Sequence, residues 1–207
     1  KRLRDICDKH GILLIFDEVI TGWGRTGSPF ASQAFGVTPD IMTMAKAVTN
    51  GVVPLGAVAS RENIYDTVLD ASPMGAVEFF HGYTYSAIPV SMAAGLAMQN
   101  IIEKENLFQR SKDMSPYFLD GLFSLKDIDV ITDIRGYGMM GGIDIHLDER
   151  PGKAGYTCFK KLFEAGLSLK ATGDCLIVAP PFVCETEHID EIIEKLRTGI
   201  TNYMKSK

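Results

Sequence analysis

Residues 12 to 19 read Ile-Leu-Leu-Ile-Phe-Asp-Glu-Val, five apolar residues in a row closed by two carboxylates. A run this short and without polar alternation predicts a strand covered on both faces, the habit of a parallel sheet. Two more runs follow: Ile41 to Ala45 after Thr38-Pro39-Asp40, and Leu55 to Ala59 after Thr49-Asn50-Gly51. The first run ends at Asp17 and the second at Lys46, with enough chain between them for a crossover. Ligands in open α/β sheets sit beyond the carboxyl ends of the strands. Asp17 and Lys46 are therefore the first candidates for chemistry, although taken alone they read first as a plain ion pair.

The remaining pattern supplies helices and a second lobe. Leu3, Ile6 and Cys7 fall at helical spacing, and Gly11 sits where a terminating glycine belongs. The chain thus begins inside a helix, without an initiator Met, and is expected to be part of a longer protein. Residues 61 to 70 suit a short helix and Ala71 to Gly75 a loop. Ser86 to Asn100, rich in small residues (Ala93, Ala94, Gly95, Ala97), suits a packed helix running on through Glu103 and Glu105. From Ser115 the pattern changes to a helix, strands at 130–134 and 142–147, a helix at 157–165 and strands near 167–170 and 175–179. A last helix runs from Glu185 to about Tyr203. The expected fold class is α/β: residues 1–115 as a mainly parallel-sheet part, then residues 116–207 as a small α+β domain.

Composition removes several functions. Twenty-one Lys+Arg stand against 26 Asp+Glu in 207 residues, a formal charge of −5. Scattered basic residues on an acidic chain argue against binding nucleic acid or an anionic membrane surface. Apolar stretches such as Gly11 to Phe16 are far shorter than the roughly 20 residues a bilayer span needs. Cys7, Cys158, Cys175 and Cys184 lack C-x-x-C spacing and read as free thiols, which places the chain in a reducing compartment, the cytoplasm. The four histidines, His10, His81, His146 and His188, form no ligating pair, so no metal is expected.

Chemistry concentrates around the strand ends. After Val19 comes Thr21-Gly22-Trp23-Gly24-Arg25-Thr26-Gly27, a loop with three glycines that lets the backbone bend sharply. It lacks the helix-opening G-x-G-x-x-G of a dinucleotide site and the G-K-[ST] of a nucleotide loop. The stretch from Asp17 to Gly27 instead resembles the D-E-V-x-x-G-x-G-R-x-G segment of class III, fold-type I aminotransferases, which use pyridoxal 5'-phosphate. Asp40 to Lys46, then Asn50-Gly51 and Pro54-Leu55-Gly56-Ala57, resembles the family's Schiff-base lysine segment. His81-Gly82-Tyr83-Thr84-Tyr85-Ser86 with Pro89 is similar to its phosphate-contacting segment, in the form of the ω-amino-acid:pyruvate and β-alanine:pyruvate enzymes. Arg135-Gly136-x-Gly138, Gly173-Asp174 and Pro180-Pro181 match the small C-terminal domain. Five segments in family order cover nearly the whole chain.

The resemblance implies a role for each matching residue. Lys46 would bind the cofactor covalently and later move a proton at the substrate carbon, since an amine is nucleophilic once deprotonated. Asp17 would keep the pyridine nitrogen protonated, Val19 would pack on a ring face, and Thr84 would bind the cofactor phosphate, reaching over from another subunit. A homo-oligomer is therefore implied, with an amino donor and a keto acid, pyruvate, as the small-molecule partners. Glu18 points away from Asp17, because successive strand residues face opposite sides. Arg25 reads as a brace for its loop, His81 as a turn residue, and Met42, Met44, Met139 and Met140 as packing.

Two departures qualify the resemblance. The family's chains are about twice as long, and their N-terminal half supplies further cofactor contacts. Lys170, in Gly-Leu-Ser-Leu-Lys-Ala-Thr-Gly-Asp, stands where the relatives carry an arginine for the substrate carboxylate. It keeps the charge but loses the bidentate fork. Ile88 replaces a frequent histidine. The expected function is transamination of an ω-amino acid or amine with pyruvate. The alternatives are an inactive fragment that folds and self-associates, and an aminomutase or racemase of the same family.

Overall fold

A computed structural model of the chain describes residues 1–74, 82–146 and 150–205. The chain forms two compact units: residues 1–24 with 28–108, and residues 25–27 with 109–207.

The first unit opens with helix α1 (Arg2–His10), which closes at Gly11 in the left-handed conformation, φ 63°. Three strands follow: β1 (Ile15–Asp17), β2 (Ile41–Met44) and β3 (Ala57–Ser60), in the order β1-β2-β3. β1 and β2 are parallel, while β2 and β3 are antiparallel. The apolar run at 12–19 thus yields only a three-residue strand, and the burial expected on both of its faces is not met. β1 is an edge strand, with Ile15 56% exposed and Ile12 and Leu13 each 54% exposed. Their hydrophobicity is that of a doubly covered strand, but among the described residues nothing covers them.

Asp40 fastens this unit together. Its carboxylate accepts the Leu14 amide at 2.7 Å and Arg4 Nη1 at 2.6 Å, with Arg61 Nε at 3.3 Å. The Leu14 amide first, and the Arg4 guanidinium after it, hold the Asp40 carboxyl below the usual carboxylate range. Helix α2 (Ala31–Phe35) lies in the crossover between β1 and β2 and was not expected from the sequence. Helix α3 (Glu62–Asp70) precedes α4 (Pro89–Lys104). Ser91 and Gly95 of α4 are buried, and Ser91 Oγ donates to the Pro54 carbonyl at 2.9 Å. The small-residue face of α4 therefore packs on the loop that follows Lys46.

The second unit contains most of helix α5 (Leu107–Phe123), so the boundary expected at residue 115 falls inside a helix that continues through Pro116. Its sheet has the order β4-β5-β7-β6 and is antiparallel throughout: β4 (Ile131–Gly136), β5 (Gly141–Ile145), β6 (Lys170–Thr172) and β7 (Cys175–Val178). With α5, helices α6 (Lys153–Glu164) and α7 (Thr186–Lys205) supply a core that fully buries Phe118, Leu122, Ile143, Leu162, Leu176 and Leu196. Helix α6 begins four residues before the expected Thr157, because a distant carboxylate caps it. Asp174 accepts the amides of Gly152 at 2.8 Å and Gly155 at 3.1 Å. No described helix is long and apolar enough to cross a membrane. All four cysteines are free, and burial pushes the Cys158 thiol up to about 12.

Two outcomes test this packing. A Cβ at position 155 would stand 2.2 Å from the Gly173 carbonyl oxygen, which backbone cannot easily vacate. Gly155→Ala should therefore destabilise the protein by about 2 kcal/mol, measured by urea unfolding. Asp40 has a depressed pKa, so its contribution is present above the unfolded value of roughly 4 and is lost as pH falls through the folded value. Thermal midpoints recorded down this acid range should fall less steeply for Asp40→Asn than for the wild-type chain.

Candidate active site

The parallel pairing of β1 and β2 aligns Ile15 with Ile41, Phe16 with Met42 and Asp17 with Thr43. The ladder continues one residue further, where the Glu18 amide donates to the Thr43 carbonyl at 2.9 Å. The carboxyl ends of the two strands thereby coincide. Asp17 is the last residue of β1, and Lys46 opens a short 3-10 turn (Lys46–Val48) just beyond β2. Both side chains are exposed.

The Asp17 carboxylate is held by one oxygen. Its Oδ1 accepts the Val19 amide and the Thr43 hydroxyl, each at 3.1 Å. Its Oδ2 has no hydrogen-bond partner among the described residues. Val19 sits half-buried in the turn that follows. Thr43 was not singled out by sequence reasoning; the available signal was a lone hydroxyl inside the apolar run Ile-Met-Thr-Met-Ala.

Glu18 takes the opposite side, as the strand period requires. It is 1% exposed and accepts the Ser32 amide at 2.7 Å, the Ala31 amide at 3.0 Å and the Thr21 hydroxyl. It thus satisfies the free amides at the start of α2 and fixes the entry to the glycine loop. Gly22 leaves no room for a side chain, since a Cβ there would lie 2.8 Å from the Glu18 carbonyl oxygen. Trp23 meets Phe30 edge-on, with ring centroids 5.0 Å apart.

Lys46 has φ +50°, the left-handed region that a residue with a Cβ enters at a cost of about 1–2 kcal/mol. Its surroundings hold it there. Ala45, Lys46 and Ala47 carbonyls accept the amides of Val48, Thr49 and Asn50, and buried Thr49 donates its hydroxyl to the Val53 carbonyl at 2.6 Å. Over-determined strain of this kind is characteristic of functional positions.

The other expected residues fall on other elements. Thr84 is exposed in a turn (84–87) of the first unit, closed by the Ser86 amide on the Tyr83 carbonyl at 2.9 Å. Among the described residues no hydrogen bond joins it to Asp17 or Lys46. His81 lies outside the described residues. Lys170 is the exposed first residue of edge strand β6 in the second unit, opposite Ile177. Arg25, also in the second unit, is a brace: Nη1 donates to the carbonyls of Met139 at 2.9 Å and Pro180 at 2.6 Å, with the guanidinium 4.6 Å over the Phe182 ring. Desolvation pulls its pKa down. A groove of about 600 Å³ along α6 and α7 is lined by Lys161, Glu191, Lys195 and Tyr203. Lys195 is already paired with Glu191 at 2.7 Å, and no nucleophile–base pair is found there.

Residues 1–200 match the family described as aminotransferase class-III. An omega-aminotransferase of Caulobacter vibrioides is 46% identical over 200 residues, covering 95% of this chain and 45% of that protein. A beta-alanine–pyruvate aminotransferase of Pseudomonas aeruginosa is 46% identical over 196 residues, covering 94% of this chain and 44% of that one. Among solved structures, a transaminase with L-alanine superposes with a TM-score of 0.93 at 30% identity, covering 99% of this chain and 50% of its own. An (S)-enantioselective omega-transaminase from Thermomicrobium roseum gives 0.89 at 34% identity, over 97% and 46%. The chain spans about half the length of the curated relatives it matches.

The strain at Lys46 has a direct test. Glycine tolerates the left-handed region and alanine does not, so Lys46→Gly should be more stable than Lys46→Ala by about 1 kcal/mol in denaturant unfolding. The reverse order would show that position 46 is not held left-handed.

Proposed function

Because the chain belongs to the class-III aminotransferase family, a family dependent on pyridoxal phosphate, we propose that it contributes the catalytic lysine and the ring-binding carboxylate of a transaminase. The reaction moves an amino group from an ω-amino acid or amine to pyruvate. One observation carries this reading: an exposed carboxylate with a free oxygen and an exposed primary amine stand at the ends of adjacent parallel strands. That donor set suits the cofactor, since the carboxylate can accept from a protonated ring nitrogen and the amine can hold an aldehyde carbon. When bound, pyridoxal phosphate supplies an electron sink for the bond broken at the substrate carbon.

The chain's own residues divide the remaining tasks. Asp17 would hold the ring N–H and keep that nitrogen charged. Lys46 would hold the cofactor's aldehyde carbon, and its amine would take and return the proton at the amino-bearing carbon of the substrate. Val19 would offer an apolar contact to the ring, and Thr84 would donate to the phosphate from a second copy of the chain. Lys170 would offer a donor's carboxylate a point charge, a weaker clamp than arginine's planar fork. The beta-alanine–pyruvate relative supports the donor class and the acceptor.

A second reading is favoured by the half-exposed apolar residues of β1: the chain by itself folds and self-associates without turning over. Borohydride reduction in the presence of pyridoxal phosphate, followed by peptide mapping, separates the two. Label on Lys46 alone, with a visible absorbance band, supports the first reading; label scattered over surface lysines supports the second. In an active preparation Lys170→Met should raise KM for β-alanine about tenfold and leave an amine without a carboxylate unchanged, since loss of a charge-assisted contact costs about 1.5 kcal/mol or more.

A further inference from the structure

We propose that Thr43 is a positioning residue that fixes the orientation of the Asp17 carboxylate and so leaves one of its oxygens open toward the cofactor ring. The proposal rests on Asp17 being the partner of the ring nitrogen, and it adds a residue that acts through Asp17.

The geometry comes from the sheet. Asp17 and Thr43 are register partners on parallel strands, so their side chains stand on the same face. A carboxylate only accepts, so the contact at 3.1 Å is the Thr43 hydroxyl donating to Oδ1. The Val19 amide donates to the same oxygen, also at 3.1 Å. With two donors on one oxygen and none on the other among the described residues, turning the carboxylate out of this orientation would break both bonds. The Glu18 amide on the Thr43 carbonyl, at 2.9 Å, ties the two backbones at the same level. The hydroxyl is therefore placed by the ladder.

The contact does little for folding. Asp17 is exposed, and a hydrogen bond open to water is exchanged for water at small net cost. Its consequence is orientational: a carboxylate fixed about its own bonds presents one free oxygen along one direction, which a reacting site needs to within about 10–20°.

The test compares Thr43→Val, which keeps the shape and removes the donor, with Thr43→Ser, which restores it. In the chain without cofactor, the Hα–Hβ couplings of Asp17 should report one rotamer in the wild type and in Thr43→Ser, and averaging in Thr43→Val. The thermal midpoint should not move. Unchanged couplings in Thr43→Val, or a midpoint lowered by several degrees, would overturn the proposal without reference to any ligand. Affinity for pyridoxal phosphate should weaken about three- to tenfold in Thr43→Val and return in Thr43→Ser. A cofactor analogue with carbon in place of the ring nitrogen should bind the wild type and Thr43→Val equally. Equal weakening for the analogue would overturn the proposal. Asp17→Ala with undiminished affinity for pyridoxal phosphate would instead overturn the role of Asp17 itself, whatever the rotamer measurement gives.

Discussion

The parallel pairing of β1 with β2 is the constraint on which the candidate site depends. It brings together two segments separated by the glycine loop and α2, and its register decides that Asp17 lies opposite Thr43. A slip of one residue would turn Asp17 to the face that Glu18 occupies, because side chains alternate with period two. The register is pinned from both ends. At one, Asp40 accepts the Leu14 amide and its own amide donates to the Leu14 carbonyl at 2.8 Å. At the other, the Glu18 amide reaches the Thr43 carbonyl.

The two neighbouring carboxylates illustrate how environment assigns function. Glu18 is enclosed and its oxygens are taken up by two amides and a hydroxyl, so it is committed to holding α2 and the loop. Asp17 faces outward with one oxygen occupied and one open. The strained backbone at Lys46 fits the same division. The loop behind it is held by Thr49 and by α4 through Ser91, and the lysine side chain is left exposed. Stability is concentrated behind the site, and the groups available for chemistry stand in front.

Much of this was legible from residues alone. The three apolar runs of the first unit and the helices around them follow from periodicity, and the order of motifs pointed to the aminotransferase family that comparison then established. What escaped the reading were elements stabilised from far away in sequence. Helix α2 is five residues long and depends on Glu18, and the early start of α6 depends on Asp174; neither cap is near in the chain. Thr43 escaped for a similar reason. A threonine in a strand reads as β-branched filling until its register partner is known.

The sequence by itself determined the chemistry on offer: a lysine, two acids and a glycine loop after apolar runs, in an order that marks the family. Only the tertiary structure decided which acid is free, which is consumed, and which hydroxyl stands beside the free one. Composition and spacing set what each residue can do. The pairing partner, burial and backbone angle, all set by contacts distant in sequence, decide what it is left able to do.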